Sequence, residues 1–326
     1  MQENHTHNDN NLFASECKIC GNKSGNEVII VQERQLGLGD RFEYFVCSKC
    51  FCLQIKDIPG NIEKYYPPTY YSFQEAKFPS KLNRVNFFLK RSLINYYMGY
   101  FDLMGFLLSF FYENPFPWIR KKEINFDTKI LDIGSGSGRK LLSLQRSGFR
   151  NLTGIDPFIE KNIFYKNGLK IQKKDISEID EKYDFIMLHH SLEHMQNPKQ
   201  IVEHISRLLC SDGCALIRVP VANSFAWQKY RDCWVGLDAP RHFFLHTPQS
   251  LNILLKNTDM IIDEIVYDST AFQFTGSEKY LRNLPFSAPD DIFTKKEIRE
   301  FTKEAKKLNR KNQGDAACFF LKKVLQ

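Results

Sequence analysis

Short apolar runs alternate with stretches of helical periodicity along the second part of the chain. Strands separated by helices in this way build βαβ units, in which the strands lie parallel and helices cover the sheet. The pattern therefore predicts an α/β fold with a doubly wound, mostly parallel, seven-stranded sheet. The predicted strands are Lys129–Ile133, Leu152–Ile155, Leu169–Gln172, Asp184–His189, Ala215–Val219, Ile261–Tyr267 and Ala316–Lys322.

Three segments carry clear helical signals. Arg139–Arg146 follows the first predicted strand directly. Pro198–Leu209 is preceded by Asn197, a favourable N-cap residue, and has proline in its first turn. Lys295–Lys311 is amphipathic, with apolar residues on one side only. The residues Ser211–Gly213 predict a turn between the second of these helices and the fifth strand.

The first part of the chain is organised differently. Strand-like runs at Glu27–Gln32 and Phe42–Val46 lie between two pairs of cysteines and predict a compact β-rich module. Two prolines within Tyr65–Tyr71 predict a linker, because proline fixes φ and lacks a backbone donor. The predicted units are the module over 12–60, a linker and helical cap over 61–122, and the α/β domain over 123–326.

Residues 81–120 are rich in aromatic side chains and mostly helical in pattern. Within them, Ile94–Tyr112 contains one charged residue, Asp102. A membrane-spanning helix needs about 20 mainly apolar residues. Because polar residues and glycines interrupt this run, we expect helices that pack on the α/β domain. The alternative is a peripheral membrane contact, in which 81–120 rests on the bilayer surface.

Composition and charge narrow the class of protein. The chain has 326 residues, 43% of them hydrophobic and 25% charged, which is close to the average for soluble globular proteins. The net charge is +7, and Lys295–Lys311 alone contains eight basic residues and three glutamates. Because the excess of basic residues is concentrated in this one predicted helix, nucleic acid is a less favoured partner.

The cysteines point to a metal site. Met1–Asn11 lacks the apolar core of a signal peptide, which predicts a cytoplasmic protein, with the inner face of the membrane as an alternative location. In that compartment, nine cysteines are expected as metal ligands and buried thiols. A pair of C-x2-C motifs predicts a structural Zn²⁺ site in a zinc-ribbon-like module, with Cys52 as an alternative to the last ligand. The predicted ligands are Cys17, Cys20, Cys47 and Cys50.

A glycine-spaced loop follows the first predicted strand. Gly134 and Gly136 allow the backbone to turn tightly and to approach a ligand closely, since neither has a Cβ atom. The next glycine is Gly138, whereas a dinucleotide-binding fingerprint requires it at position 139, which is Arg139. This spacing disfavours a dehydrogenase.

The loop resembles motif I of the class I S-adenosylmethionine-dependent methyltransferases, in which an acidic residue is followed by G-x-G-x-G. Asp156 follows the next strand, where a carboxylate can accept both ribose hydroxyls. Asp175 matches the position that contacts the adenine amino group, beside the Ile176 amide. The resemblance implies a Rossmann-like fold and S-adenosylmethionine as cofactor. The predicted cofactor-binding residues are Asp132, Gly134, Ser135, Gly136, Asp156, Asp175, Ile176 and His190.

Three residues after the fourth strand invite two interpretations. His190, Glu193 and His194 have the H-x-x-E-H spacing of a zinc protease, but that motif requires a helix, and here it follows a strand. The run ending in Leu-Glu-His also resembles methyltransferases that include the O-methyltransferases of ubiquinone synthesis. That resemblance implies that Glu193 and His194 lie near the transferred methyl group and can hold a divalent ion. The alternative is that both residues stabilise a turn.

The segment after the fifth strand is predicted to contact the acceptor. Trp234 is a candidate for stacking on a sugar, Arg241 for binding a phosphate, and His242 for the catalytic base. Open α/β sheets bind ligands at this edge. The alternative is a structural turn at Pro240–His246. The cysteine module and the Pro-Arg-His element resemble a group of bacterial methyltransferases that includes sugar C-methyltransferases.

These features favour one function over three others. We expect methyl transfer to a hydroxyl of a small molecule, sugar or lipid-linked glycan in surface-polysaccharide synthesis. The first alternative is an RNA methyltransferase that grips RNA with the zinc module and the basic helix. The second is a sugar C-methyltransferase. The third is a binding protein with an inactive cofactor pocket, which the intact Asp132, Gly134, Gly136 and Asp156 disfavour.

Overall fold

A computed structural model describes residues 15–67, 74, 84–119 and 124–324. The strands are β1 (Glu27–Gln32), β2 (Arg41–Val46), β3 (Leu53–Ile55), β4 (Ile130–Ile133), β5 (Leu152–Ile155), β6 (Ile163–Phe164), β7 (Lys170–Gln172), β8 (Tyr183–His189), β9 (Leu209–Pro220), β10 (Phe244–Leu245), β11 (Met260–Tyr267) and β12 (Ala316–Lys323).

The α-helices are α1 (Arg84–Tyr97), α2 (Leu103–Ser109), α3 (Arg139–Gln145), α4 (Pro198–Leu208), α5 (Phe225–Tyr230), α6 (Pro248–Leu255), α7 (Phe272–Leu281) and α8 (Lys295–Arg310). Short 3₁₀ turns cover Ile62–Tyr65, Ile176–Glu178, Leu192–His194, Arg231–Cys233, Val235–Leu237 and Asp290–Ile292.

The larger sheet has the order β11-β12-β9-β8-β4-β5-β7-β6. Neighbours from β9 to β7 are parallel, whereas β12 is antiparallel to both β9 and β11. This is the predicted Rossmann-like, mostly parallel sheet. The predicted number of seven strands is wrong, because β6 adds an eighth strand that pairs antiparallel with β7. Two residues are too few to give a periodic signal in the sequence.

The turn predicted at Ser211–Gly213 is also wrong. These residues lie within β9, which begins directly after α4. Tyr183 pairs with Leu209 and Phe185 with Cys214, so four residues of β9 face one residue of β8 between these pairs. The polar Ser-Asp-Gly sequence therefore forms a bulge inside a continuous strand, and a bulge uses the same residue types as a turn.

The smaller sheet contains strands from both the N-terminal module and the α/β domain. Its order is β1-β2-β3-β10, and all of its pairs are antiparallel. Leu53 pairs with Leu245 and Gln54 with Phe244, so the N-terminal module completes its sheet with a strand from the α/β domain. One apolar cluster contains residues of both parts. A segment this short cannot bury a sufficient core alone, which explains why it borrows a strand.

The predicted helical cap contains α1 and α2. Ile94 of α1 and Met98, which follows it, are buried in a cluster that also contains Phe126 and Leu216 of the α/β domain, as expected for packed helices. Residues 12–14 of the predicted module, 68–71 of the predicted linker, and 81–83 and 120 of the aromatic-rich segment lie outside the described residues. Within the described ranges, the helices are too short or too polar to cross a bilayer.

Candidate functional site

Four neighbouring strands end at the edge of the sheet where the site lies. β8, β4, β5 and β7 are adjacent and parallel, so the segments that follow them converge at their carboxyl ends. This arrangement brings together the glycine loop, Asp156, Asp175 and the segment His190–His194. These groups are up to about sixty residues apart in the sequence. They meet at one edge because the four strands that precede them are adjacent and parallel.

The glycine loop fits closely against its surroundings. The amides of Gly134 and Ser135 both donate to the carbonyl of Ile155, at 2.9 and 3.1 Å, which anchors the loop to the end of β5. Gly134 has a φ of +71°, and a Cβ atom there would lie 2.5 Å from the Cβ of Ser191. Glycine is therefore required at this position by both conformation and space.

Asp156 stabilises the same loop through its carboxylate. One oxygen accepts from the amide of Gly136 at 2.8 Å, and the other accepts from the amide of Phe158 at 2.9 Å. The side chain is 6% exposed. Burial raises the pKa of Asp156, and the two amides oppose that rise. Each carboxylate oxygen can accept more than one hydrogen bond, so capacity remains for a ligand hydroxyl.

Asp132 lies within β4 and is almost fully buried. Burial raises its pKa to about 7, and the positive charge of Lys140 only partly offsets that effect. A carboxyl group in this environment is poised between its neutral and charged forms near neutral pH.

Asp175 and Ile176 lie at a helical turn after β7. The carboxylate of Asp175 accepts from the amide and the hydroxyl of Ser177, at 2.9 and 2.7 Å, and caps the turn. The side chain of Ile176 is buried, whereas Asp175 is exposed. The predicted adenine-binding residues therefore lie at the shared edge, with one oxygen of Asp175 used in the cap.

Glu193 has an unusual environment. Its side chain is 0% exposed, and neither oxygen has a hydrogen-bond partner among the described residues. Ligand atoms of Glu193, His194 and His242 all lie within 4.8 Å of one another, and Nδ1 of His190 lies 3.3 Å from the carboxylate. Burial opposes ionisation of Glu193, but the facing histidines outweigh it and hold its pKa at about 2.

The two histidines beside Glu193 have defined tautomers. Nδ1 of His194 lies 2.8 Å from the carbonyl oxygen of Arg241, and Nδ1 of His242 lies 2.8 Å from that of Gly236. Because a carbonyl oxygen only accepts, each Nδ1 carries the proton and each neutral ring has its lone pair on Nε2. Burial, with a smaller effect from the neighbouring imidazole of His242, lowers the pKa of His194 to about 4, so His194 is neutral at neutral pH.

His190 joins this cluster to the cofactor edge. It lies between the end of β8 and the turn Leu192–His194, with a φ of +52°. Its Nε2 contacts the guanidinium of Arg218, which donates to Asp268 at 2.6 Å. The H-x-x-E-H sequence therefore spans a strand end and a turn, as predicted, and lacks the helix that a zinc protease requires.

Trp234 and Arg241, the predicted substrate contacts, lie in the interior. Trp234 is 1% exposed, and its indole donates to Asp315 at 3.0 Å. Arg241 is 0% exposed, and its guanidinium donates to Asp238 at 3.1 Å and to the carbonyl of Tyr65 at 3.1 Å. Both side chains are bonded to protein groups, and their contact with a sugar or a phosphate stays a prediction.

The comparisons with known proteins agree with this geometry. A family model described as a methyltransferase domain matches residues 101–264, half of the chain. The chain belongs to this methyltransferase family. The description of this family names methyl transfer as its chemistry.

Two curated relatives and one solved structure illustrate the range of this family. EEF1A lysine methyltransferase 2 of Homo sapiens is 33% identical over 121 residues, which is 31% of this chain and 50% of that protein. The ubiquinone biosynthesis O-methyltransferase of Rickettsia bellii is 26% identical over 154 residues, 43% of this chain and 64% of that protein. The methyltransferase thus spans between half and two-thirds of their lengths.

Among solved structures, the methyltransferase is similar to the O-methyltransferase from a trans-AT PKS multienzyme of Brevibacillus brevis, determined with S-adenosyl-L-homocysteine. The identity is 18%, the match covers 62% of this chain and 69% of that chain, and the TM-score is 0.38.

The four predicted cysteine ligands of the methyltransferase lie together. Sγ of Cys17 is 3.6 Å from Sγ of Cys50, and Sγ of Cys20 is 3.5 Å from Sγ of Cys47. All four sulfurs lie within 4.8 Å of one another, whereas Cys52 is buried outside the cluster. All nine cysteines of the chain are described, and each is a free thiol, as expected.

Sequence reasoning missed two residues that shape the site of the methyltransferase. Ser191 packs against Gly134, and its hydroxyl donates to the carbonyl of Ile133 at 2.9 Å. No sequence signal distinguishes this serine from others in the chain. Arg218 contacts His190, and it had a usable signal, because a lone charged residue within the apolar run Ala215–Val219 requires a buried partner.

We expect Gly134→Ala to weaken S-adenosylmethionine binding at least about tenfold, because the methyl group would displace Ser191 and the loop that depends on it. Gly168→Ala is the matched control, since Gly168 has a φ of +88° but no atom within 4 Å of a Cβ. Both variants carry backbone strain of about 1–3 kcal/mol. Calorimetric titration should show weak binding only for Gly134→Ala. Equal affinities for the two variants would contradict the assignment of the loop.

Proposed function

We propose that this methyltransferase methylates a hydroxyl oxygen of a sugar or lipid-linked glycan at the cluster of Glu193, His194 and His242. The observation that carries the proposal is the fully buried carboxylate of Glu193, whose polar neighbours are the imidazoles of His190, His194 and His242. A buried carboxylate with so few hydrogen-bond donors is costly. A bound hydroxyl group or divalent ion would supply the missing interactions, which is why perturbed carboxylates of this kind mark functional sites.

The bonding around His242 supports a role as general base. In methyl transfer, a lone pair of the acceptor oxygen forms a bond to the methyl carbon, the C–S bond breaks, and its electrons return to sulfur. The hydroxyl proton must leave the oxygen in the same process. Nε2 of His242 has the lone pair that can accept this proton, and the nearby Glu193 carboxylate stabilises the resulting imidazolium.

The same three residues also fit a divalent ion. They offer one carboxylate oxygen and two imidazole nitrogens with available lone pairs, which is a donor set that suits divalent transition metals. Such an ion would lower the pKa of a bound hydroxyl group. Glu193, His194 and His242 would hold it, and His190 would remain paired with Arg218.

We assign the cofactor to the glycine loop and the aspartates beside it. The remaining acceptor capacity of Asp156 suits the ribose hydroxyls, and the carboxylate of Asp132 suits a positively charged group of the cofactor. Gly134, Ser135 and Gly136 would then surround the ligand, with Asp175 and Ile176 toward the adenine. His190 would lie between the cofactor and the acceptor.

The cysteine cluster is proposed to bind one structural Zn²⁺. With Zn–S distances near 2.3 Å, the sulfurs of a tetrahedral site lie about 3.8 Å apart. The Sγ–Sγ separations of 3.5 Å between Cys20 and Cys47 and of 3.6 Å between Cys17 and Cys50 are close to that value. The amides of Lys49 and Cys50 donate to Sγ of Cys47, at 3.4 and 3.5 Å, an arrangement that suits a sulfur ligand of a metal ion.

This metal site would support the catalytic loop rather than bind nucleic acid. The hydroxyl of Thr247 donates to the carbonyl of Cys50 at 2.7 Å, and the hydroxyl of Tyr44 donates to the carbonyl of His242 at 3.0 Å. Both bonds tie the module to the segment that carries His242. This role accounts for the module without an RNA substrate.

We expect label from methyl-labelled S-adenosylmethionine to enter the glycan or lipid-linked glycan fraction of a bacterial extract. Glu193→Gln should lower the rate about 10²–10⁴-fold with unchanged cofactor affinity, because it removes only the group that assists proton transfer. Glu203→Gln, an exposed position on α4, is the matched control and should retain the parent rate. Label in RNA or protein, or full activity of Glu193→Gln, would refute the proposal.

We expect the affinity for S-adenosylmethionine to fall as the pH is lowered from 8 to 6. The pKa of Asp132 is about 7, so its carboxyl group becomes neutral below that pH and loses its attraction for a cationic ligand. The fall should approach about tenfold per pH unit well below the pKa. Asp132→Asn should bind weakly at every pH. If that variant shows the parent pH dependence in calorimetric titrations, another group titrates.

We expect metal analysis of the purified chain to give one zinc ion per molecule. Cys47→Ser should lose the ion and lower the thermal midpoint, because it removes one of four ligands. Cys52→Ser is the matched control, since Cys52 is equally buried but lies outside the cluster. Retention of zinc by Cys47→Ser together with its loss from Cys52→Ser would show that the ligand set is different.

A further inference from the structure

The exposed apolar side chains of this methyltransferase are concentrated in one short segment. Of the twenty-two large hydrophobic residues exposed in the described ranges, eleven lie between Val85 and Tyr112. Phe101 is 96% exposed and Phe111 is 83% exposed. Apolar residues scattered singly on a surface are ordinary, whereas a concentration of this kind indicates an interaction site.

These side chains form a connected surface. The rings of Tyr96 and Phe106 lie 5.7 Å apart, and those of Phe106 and Phe110 lie 5.0 Å apart. The hydroxyl of Tyr97 donates to the carbonyl of Tyr112 at 2.7 Å. The exposed residues of α2 and of the segments on either side of it therefore belong to one aromatic surface.

The scaffold under this surface is well packed. A Cβ atom on Gly105 would overlap the carbonyl of Ser92, so α2 lies directly against α1. Asp102 accepts from the amide of Gly105 at 2.8 Å and from the side chain of Asn95 at 3.3 Å. The acidic group within the apolar run is therefore used inside the helix pair, and the exposed side remains apolar.

Basic residues outnumber acidic ones in the part of the sequence that contains this surface. Residues 77–122 contain eight basic residues and two acidic residues, Asp102 and Glu113. In the described part, α1 carries Arg84, Lys90 and Arg91 and has no acidic residue. An apolar surface on a segment with an excess of basic residues is complementary to a bilayer that contains anionic lipid.

We propose that the surface from Val85 to Tyr112 docks this methyltransferase onto the face of an anionic lipid bilayer. The described helices are unable to cross a bilayer, so the contact would be interfacial. Aromatic side chains are favoured at the boundary between headgroups and acyl chains. Projecting rings such as Phe101 and Phe111 suit insertion into that boundary better than a flat contact with a protein.

Packed side chains connect this surface to the carboxyl end of β8, where the candidate site lies. Ile94 of α1 and Met98, directly after this helix, share an apolar cluster with Trp118. The ring of Trp118 stacks on Phe185 and contacts His189 at the end of β8, with centroids 6.2 and 4.8 Å apart. Membrane docking would therefore hold the catalytic edge near the bilayer. The proposal goes beyond the acceptor assignment and does not depend on it.

The test is cosedimentation of the full chain with phosphatidylcholine vesicles, with and without about one-third phosphatidylglycerol, at low and high salt. We expect binding to the anionic vesicles that weakens with salt. The variant Phe101→Ser/Phe110→Ser/Phe111→Ser should bind at least about tenfold more weakly, since it removes three exposed rings. The control Phe164→Ser/Phe272→Ser/Leu281→Ser changes three exposed residues elsewhere and should bind like the parent.

Circular dichroism and cofactor titration would confirm that both triple variants remain folded. Failure of the parent chain to sediment with anionic vesicles would overturn the proposal. Equal loss of binding in the two triple variants would also overturn it. A third outcome would also overturn the proposal. If vesicles bind neither the parent nor the first triple variant, and sedimentation equilibrium shows a parent dimer that only this variant abolishes, the surface is an interface between two copies of this chain.

Discussion

The buried guanidinium of Arg241 is the constraint on which the arrangement of the catalytic loop depends. It binds Asp238 within its own loop, the side chain of Gln35 at 3.0 Å, and the carbonyl of Tyr65. The carboxylate of Glu33 lies 3.6 Å away and is itself held by two backbone amides. A charge at 0% exposure must be compensated by nearby partners. The N-terminal module, the segment after it and the catalytic loop can satisfy this requirement only together.

The position of the reactive histidines follows from that constraint. The carbonyl of Arg241 fixes the tautomer of His194, and the carbonyl of His242 is held by Tyr44 of the module. Pairing of β3 with β10 adds a backbone connection to the same segment. The cysteine module therefore acts on the site through the conformation of one loop. The module therefore packs as part of the same unit as the candidate site, although it lies before the matched methyltransferase domain in the sequence.

Electrostatics divide the site into two parts. On the cofactor side, burial shifts the pKa of Asp132 upward, so a cationic ligand would favour the charged form. On the acceptor side, histidines hold Glu193 in its charged form despite complete burial. These opposite shifts arise from neighbouring positions of one sheet edge, because one carboxylate faces mainly apolar packing and the other faces imidazoles. Ser191, two residues before Glu193, packs against Gly134 of the glycine loop.

The sequence by itself determined the alternation of strands and helices, the glycine loop, the aspartates at the strand ends and the cysteine pairs. Each of these features is local, because periodicity, backbone conformation and ligand spacing operate within a few residues. Tertiary structure decided the bulge in β9, the strand β10 borrowed by the module, and the interior positions of Trp234 and Arg241. It also decided the burial of Glu193. These outcomes depend on contacts between residues distant in the sequence, where pairing, burial and charge compensation are settled only when the whole chain packs.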